Sequence, residues 1–323
     1  MLIDWNSYKR DFQHLGKVIP LNELPSPHCE CSESLPIPKY NKRISYEGTF
    51  NSPELVAMMD KLHDEITKGI NDPFLVNNYK LTYTIPDDKQ IFLVGDLHGN
   101  YKRFKEELLE KDYRDCVFIM LGDQVMLYDD SWRQYRKLDN LFRERNCIAY
   151  FIRGNHDCAY YHTQEYYALH FTNIFPMNMG IIEYRGKKGL VFGGAISLNR
   201  MLMKEGINFW KEFDYIDPWD KLYRDYEFDF IIGHTGPIPN GIMFNSNCDR
   251  FLKEDPTLMK DLELEQKVLT DMMCMIEPEY WFMGHYHKNL EYDLHPLEGN
   301  DYTCHCVMVD VNCVYDFSKN FPK

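Results

Sequence analysis

Downstream of about residue 79, short apolar runs alternate with longer polar stretches, and each run is too brief to be a helix. Gln90 to Val94, Cys116 to Leu121, Cys147 to Ile152, Phe228 to Ile232 and Tyr280 to Met283 are mostly β-branched, aromatic or otherwise apolar over four to six positions. Such runs predict buried strands. Unbroken apolarity, as in Val117-Phe118-Ile119-Met120-Leu121, predicts strands covered on both faces, and the intervals between runs are long enough for helices. Two of those helices can be read directly. Asn100 is placed to cap one that carries Tyr101, Phe104 and Leu108 on one face, and Ser131 to cap another with Trp132, Tyr135, Leu138 and Phe142. Tyr184 to Gly189 predicts a hairpin turn, hence antiparallel pairing, and Val307 to Val311 reads as a closing strand. The expected fold class is α/β (α+β), a mixed sheet that is one of two packed together.

The chemistry lies where the runs stop. Each ends at glycine, and a metal-binding residue type follows: Gly95-Asp96-Leu97-His98, Gly122-Asp123, Gly154-Asn155-His156, Gly233-His234 and Gly284-His285-Tyr286-His287. Functional groups in such sheets gather beyond the carboxyl ends of strands, and glycine lets the backbone turn sharply or approach a metal or phosphate closely. Asp96 and His98, like His285 and His287, are two residues apart, a spacing that in extended chain points both side chains to one side. Asp, Asn and His form an oxygen and imidazole shell without thiolates, which suits manganese, iron or zinc better than calcium. A pair of divalent ions in such a shell can clamp the attacking and leaving oxygens of a phosphoryl displacement and generate hydroxide at neutral pH.

Composition narrows the partners. The chain has 323 residues with 36 basic and 50 acidic side chains, a net charge of −14, which argues against unspecific attraction to long nucleic acid or anionic membrane. No apolar stretch approaches the roughly twenty residues of a membrane span, and Met1 to Lys9 lacks a signal peptide's apolar region, so the expectation is a cytoplasmic protein. Residues 1–78 carry no chemical motif. They read as an extension with a proline-rich loop from Ile19 to Tyr40 and a helix from Ser52 to Lys68, ahead of a catalytic domain over 79–323. Of ten cysteines, Cys116, Cys147 and Cys274 sit in apolar runs and read as reduced core thiols. Cys29, Cys31 and His28 with Cys304, His305 and Cys306 raise a second metal site, but one intervening residue is not the usual zinc spacing, and reduced, inert thiols are the better reading.

The ordered set Asp-x-His, Gly-Asp, Gly-Asn-His-Asp, Gly-His and Gly-His-x-His, over about residues 90–310, resembles the calcineurin-like metallophosphoesterase superfamily. Any one piece is weak, and all five in order are highly specific. The resemblance implies two packed mixed β-sheets flanked by helices, a four-layer sandwich. It also implies a dinuclear metal site and hydrolysis by direct attack of metal-bound hydroxide without a phospho-enzyme. Matched residue by residue, it makes Asp96, His98 and His287 ligands of one ion and Asn155, His234 and His285 ligands of the other, with Asp123 as the bridge. His156 corresponds to a histidine that contacts phosphate and protonates the leaving oxygen. Arg153 resembles the arginine with which serine/threonine protein phosphatases grip two phosphate oxygens. From that branch the chain departs after Gly122-Asp123-Gln124-Val125: Met126-Leu127-Tyr128 replace its next residues, so the usual carboxylate partner of the catalytic histidine and a second phosphate-binding arginine are absent. Asp129 and Asp130 read as acidic residues ahead of a helix. Gly193 to Arg200, with Phe209, Trp210 and Glu212 beyond, resembles prokaryotic and phage members, and Arg200 reads equally as a substrate contact or a structural ion pair.

The function implied is a metal-dependent phosphomonoesterase using two divalent ions, manganese first and iron or zinc next, on a phosphoprotein, nucleotide or small phosphoester. A phosphodiesterase or nuclease acting on cyclic or short nucleotides is the alternative, and a non-catalytic scaffold a distant third because every ligand position is filled. His14, His63, His162, His170 and His295 lie outside any motif and read as structural. Tyr160, Tyr161, Tyr166 and Tyr167 suit either a substrate cleft or a core-packing helix.

Overall fold

The computed structural model describes residues 82–124, 131–157, 162, 167, 170–177, 179–203, 226–238, 248–295 and 301–322. The expected N-terminal helix and proline-rich loop, the Cys29 and Cys31 cluster, Met126 to Asp130, Tyr160, Tyr161, Tyr166 and the Phe209 to Glu212 segment lie outside the described residues.

Within them, β2 (Gln90–Val94), β3 (Cys116–Met120), β4 (Ile148–Ile152) and β5 (Ile174–Met177) pair in parallel, and β12 (Val314–Asp316) joins β2 antiparallel to complete a five-stranded sheet. A seven-stranded sheet runs β1 (Thr82–Thr84), β6 (Gly180–Tyr184), β7 (Lys187–Phe192), β8 (Phe230–Gly233), β9 (Tyr280–Met283), β11 (Cys304–Met308) and β10 (Leu290–Leu294). It is mixed too: β6 and β7 form the expected hairpin through Arg185 and Gly186, and β10 pairs antiparallel with β11.

Strand periodicity divides each apolar run between two cores. Ile91 and Leu93 of β2, Ile119 of β3, Phe230 and Ile232 of β8 and Phe282 of β9 meet between the sheets. Phe92 and Val94, with Phe118, Met120 and Phe151, face outward onto α1 (Tyr101–Glu110) and α2 (Ser131–Glu144), where Phe104, Leu108, Tyr135, Leu138 and Phe142 cover them. On the far side Leu190, Ile231, Trp281, Met283 and Met308 are covered by α4 (Leu258–Ile276) through Leu262, Leu269, Met272 and Met273, with α3 (Cys248–Glu254) beside it. Three apolar cores therefore separate four layers, helix, sheet, sheet, helix. Each fully buried large side chain contributes about 1.5–3 kcal/mol, which is why continuous apolar strands are needed where both faces are covered.

Some expectations shift. Asn100 occupies the position before α1 but makes no side-chain capping bond, and α2 already begins at Ser131. The closing strand is Cys304–Met308 rather than Val307 to Val311, because Val309 donates one last ladder bond to Met283 O and the chain then turns, Asn312 N donating to Asp96 O. No helix among the described residues is long and apolar enough to cross a membrane.

Candidate metal centre

Parallel strands β2, β3 and β4 of one sheet and β8 and β9 of the other deliver the glycine-ended motifs to one place. Backbone bonds stitch the loops together: His98 N donates to Asp123 O (2.9 Å), and Gly284 N to His234 O (3.0 Å). Proximity requires glycine in these motifs, as two of them show. A Cβ on Gly154 would strike the Asp123 carboxylate and backbone N, and one on Gly284 would strike Asp96 Oδ1.

Asp96 and Asp123 are the buried centres. Asp96 Oδ2 lies 3.2 Å from His287 Nε2 and 3.6 Å from His98 Nε2, while Oδ1 accepts from His285 N at 3.1 Å. Asp123 Oδ2 lies 3.8 Å from His98 Nε2 and 3.9 Å from His156 Nε2, and its Oδ1 is 3.5 Å from His234 Nε2 and accepts from His156 N at 2.9 Å. Three overlapping clusters result: Asp96, His98 and His287; His98, Asp123 and His156; Asp123, His234 and His285. In each, one donor atom per residue lies within 4.8 Å of the others.

The paired residues do not meet through extended chain, as their spacing suggested. His98, Asp123, His285 and His287 have φ of 45°, 52°, 65° and 51°, the left-handed region that only short polar side chains and glycine enter readily. The curled backbone turns these side chains inward. Left-handed residues of this kind cost on the order of 1 kcal/mol each and cluster at functional sites.

The donor chemistry fits divalent cations. His234 Nδ1–H donates to Leu121 O at 2.6 Å, which leaves a lone pair on Nε2, 2.9 Å from Asn155 Oδ1. Asn155 Nδ2 donates in turn to Ser197 Oγ at 2.8 Å, so its oxygen is the atom that faces His234. Two acceptors and a carboxylate thus confront one another, and Asp96 Oδ2 is buried without a hydrogen-bond partner. On the other side His98 and His287 place ring nitrogens 2.9 Å apart. Divalent cations on the two sides of Asp123 would satisfy these groups.

The local fields are uneven. Burial would raise the Asp96 carboxyl, yet the approach of His287 and His98 and the electrostatic influence of His234 hold it well below the usual range. Burial opposes protonation of His98, but Asp96 and Asp123 push it up to about 9. His285 is driven the other way, down to about 3, by burial and by His234. Cations bound here displace such protons.

Beside these groups opens a cleft lined by Asp123, Asn155, His156, His285 and His287, with Leu198, Asn199, Phe251, Tyr286 and Lys288 as its walls. The profile of the calcineurin-like phosphoesterases matches residues 89–289, well over half the chain. The chain belongs to that family. It is accordingly a hydrolase of phosphoester bonds, metal-dependent, from a family that uses a dinuclear divalent site. No curated protein sequence matches it significantly. Among solved structures, one superposes with a TM-score of 0.40 at 13% identity, covering 72% of this chain and 96% of its own. Another, TT1561 of Thermus thermophilus, gives 0.38 at 13%, covering 69% and 89%. Likenesses this distant carry no argument about activity.

In this phosphoesterase the supporting residues were less legible than the centre. Ser197 and Asp157 were given no role by the sequence. Asp157 Oδ2 accepts from Gly154 N (2.9 Å) and Gln124 N (3.3 Å), tying the Asn155 loop to the Asp123 loop. The segment that holds Ser197 is anchored by Ile196 N donating to Glu265 Oε1 of α4 at 2.8 Å. Arg200 resolves to the structural reading: buried, it pairs through Nε with Asp255 and through Nη2 with Asp261 and Thr257. Recurring apolar positions Leu258, Leu262, Leu269, Met272 and Met273 would have announced α4; its inward carboxylates carry no such signal.

The structure also places two further groups that the sequence singled out. Arg153 is 2% exposed and does not line the cleft; Nη1 lies 3.5 Å from Gly154 O. The chain turns into the cleft only after Gly154, so the arginine stays inside, where its charge, second to burial, pushes His162 down to about 3. A second metal site at Cys304, His305 and Cys306 fails on strand periodicity: both thiols are buried in the outer core, while His305 points the other way to Asp293 (2.8 Å) and Glu291 (3.4 Å). His162, His170 and His295 lie outside the clusters, and Tyr167 packs in the core against Phe151.

Proposed function

We propose that this chain is a phosphomonoesterase in which Asp96, His98 and His287 hold one divalent ion, Asn155, His234 and His285 hold a second, and Asp123 bridges them. The observation that supports this reading is the convergence of imidazole and amide-oxygen donors on Asp96 and Asp123, with Asp96 Oδ2 buried and lacking a hydrogen-bond partner, beside an open cleft. When bound, the ion pair supplies Lewis acidity at the phosphoryl oxygens and a nucleophile at neutral pH. An oxygen and imidazole shell favours manganese, with iron or zinc as substitutes.

The chain's own residues do the rest. His156 lines the cleft; its backbone N donates to Asp123 Oδ1, which fixes the main chain there, and its ring Nε2 lies 3.9 Å from Asp123 Oδ2. We assign it the proton delivered to the leaving oxygen, worth about 10²–10⁴-fold in rate. Asp123 and Asp96 orient the cations, and Ser197 holds the Asn155 oxygen toward His234. A monoester presents three terminal oxygens and only one substituent to be fitted past Leu198 and Phe251, which supports it over a diester; a phosphoprotein, nucleotide or small phosphoester each meets that requirement.

The test pairs aryl phosphate monoester and diester substrates with manganese. Faster turnover of the monoester is expected; faster turnover of the diester would replace this reading with a phosphodiesterase. His156→Gln should lose about 10²–10⁴-fold in kcat with metal content intact, and lose most on esters whose leaving alkoxide is most basic. Undiminished turnover in that variant removes the assigned acid.

A further inference from the structure

With Arg153 enclosed, the cation that meets substrate must be sought elsewhere. Among the described residues lining the cleft, Lys288 is the one lysine or arginine. It is half-buried and makes no hydrogen bond or ion pair with a described residue. Other lysines contrast with it: Lys187 sits 2.7 Å from Asp229, Lys267 2.6 Å from Asp271 and Lys319 3.7 Å from Glu291. In a chain of net charge −14, a half-buried lysine with no carboxylate partner among the described residues needs a reason.

Position supplies one. Lys288 follows His287, whose left-handed backbone turns the chain at the cleft before β10 begins at Leu290. Asp96 and Asp123 contribute two negative charges to the centre, fewer than two divalent ions carry. Once loaded, the cleft holds a net positive field, and an added ammonium is repelled unless an anion of high charge enters. A flexible ammonium is a point charge suited to a phosphate oxygen. We propose that Lys288 binds substrate, its ammonium pairing with a non-bridging oxygen of a terminal, dianionic phosphate and so favouring monoesters over diesters. This rests on the phosphomonoesterase reading and deepens it by naming the residue that reads the phosphate's charge.

The test uses the manganese-loaded full chain with Lys288→Met and Lys288→Arg, metal content being measured in each. Calorimetry gives the affinity for inorganic phosphate, and kinetics give kcat and KM for monoester and diester. Lys288→Met should weaken phosphate binding and lower monoester kcat/KM each by roughly 10- to 100-fold. The diester should lose less, metal content should not change, and Lys288→Arg should recover most of the loss. Phosphate affinity and monoester turnover equal to wild type in Lys288→Met overturn the proposal while leaving the phosphomonoesterase reading intact. A wild type that binds phosphate but hydrolyses neither ester overturns that reading instead, and the phosphate affinity of Lys288→Met still decides the role of the lysine. A wild type that does not bind phosphate overturns the role of the lysine.

Discussion

Around Asp96, the rings of His98 and His287 approach the carboxylate from the solvent side, 31% and 44% exposed, whereas around Asp123 the ring of His234 is wholly buried and Asn155 nearly so. The deep half is braced behind its donors: Leu121 O receives the His234 proton and Ser197 orients Asn155. In the open half, His98 and His287 contact chiefly the carboxylates and each other. The same kinds of donor are thus backed by hydrogen bonds on one side and open to solvent on the other, so residue type alone would not set how firmly an ion is held. Backing hydrogen bonds on ligands typically govern roughly 10- to 100-fold in affinity.

Asp123→Ala cuts the link between the halves and carries the largest expected effect. Hydrolysis should fall on the order of a thousandfold or more, and elemental analysis should show both ions weakened; one ion kept at wild-type occupancy would break the idea of a shared carboxylate. Next, His234→Ala and His287→Ala set the halves against each other. After dialysis, His287→Ala should retain one tightly held manganese, while His234→Ala should lose it, with a change beyond the roughly 10- to 100-fold ascribed to backing bonds. Equal losses in the two variants would erase the contrast.

Ser197→Ala refines it further, since only the backing bond of Asn155 is removed. Manganese affinity in the deep half should drop about 10- to 100-fold, with thermal stability changed by the roughly 0.5–1.5 kcal/mol of one hydrogen bond. Loss confined to the open half would contradict this placement. The last effect concerns pH. His162 lies near Arg153, two residues before Asn155, and burial with the Arg153 charge lowers it to about 3. Its folded value being below its unfolded one, the native state resists a proton that the unfolded chain accepts. Stability is therefore full above about pH 6.5 and falls as pH drops toward 3, by up to about 1.4 kcal/mol per unit. Urea unfolding of the metal-loaded protein between pH 7 and 5 should show this slope, and His162→Gln should flatten it. Identical slopes would assign the acid sensitivity to other groups.

The strands of the fold were legible because burial on both faces demands continuous apolar runs: Gln90–Val94 and Tyr280–Met283 end where the runs end. The candidate ligands were legible because glycine followed by Asp, Asn or His recurs five times in order. Arg153 was read from its motif, which gives its neighbours in the chain but not the side to which its guanidinium turns, and the structure buries that side chain. Asp157 and Ser197 stood inside quoted motifs but without a role, and Glu265 stood in none, because the partners that give them roles, Gln124, Asn155 and Ile196, lie far along the chain.

Chain order alone therefore dictated local matters: which runs must be buried, and which residue types stand at their ends. Packing between segments chose which sheet each run joined, and hence that β2, β3 and β4 face β8 and β9 across one site. It also made His98, Asp123, His285 and His287 curl through left-handed backbone, closed Arg200 on Asp255 and Asp261, and brought Lys288 rather than Arg153 to the cleft wall. The reason is physical: strand burial follows from the chemistry of consecutive residues, whereas side-chain direction and partnership depend on contacts between segments that the chain order does not bring together.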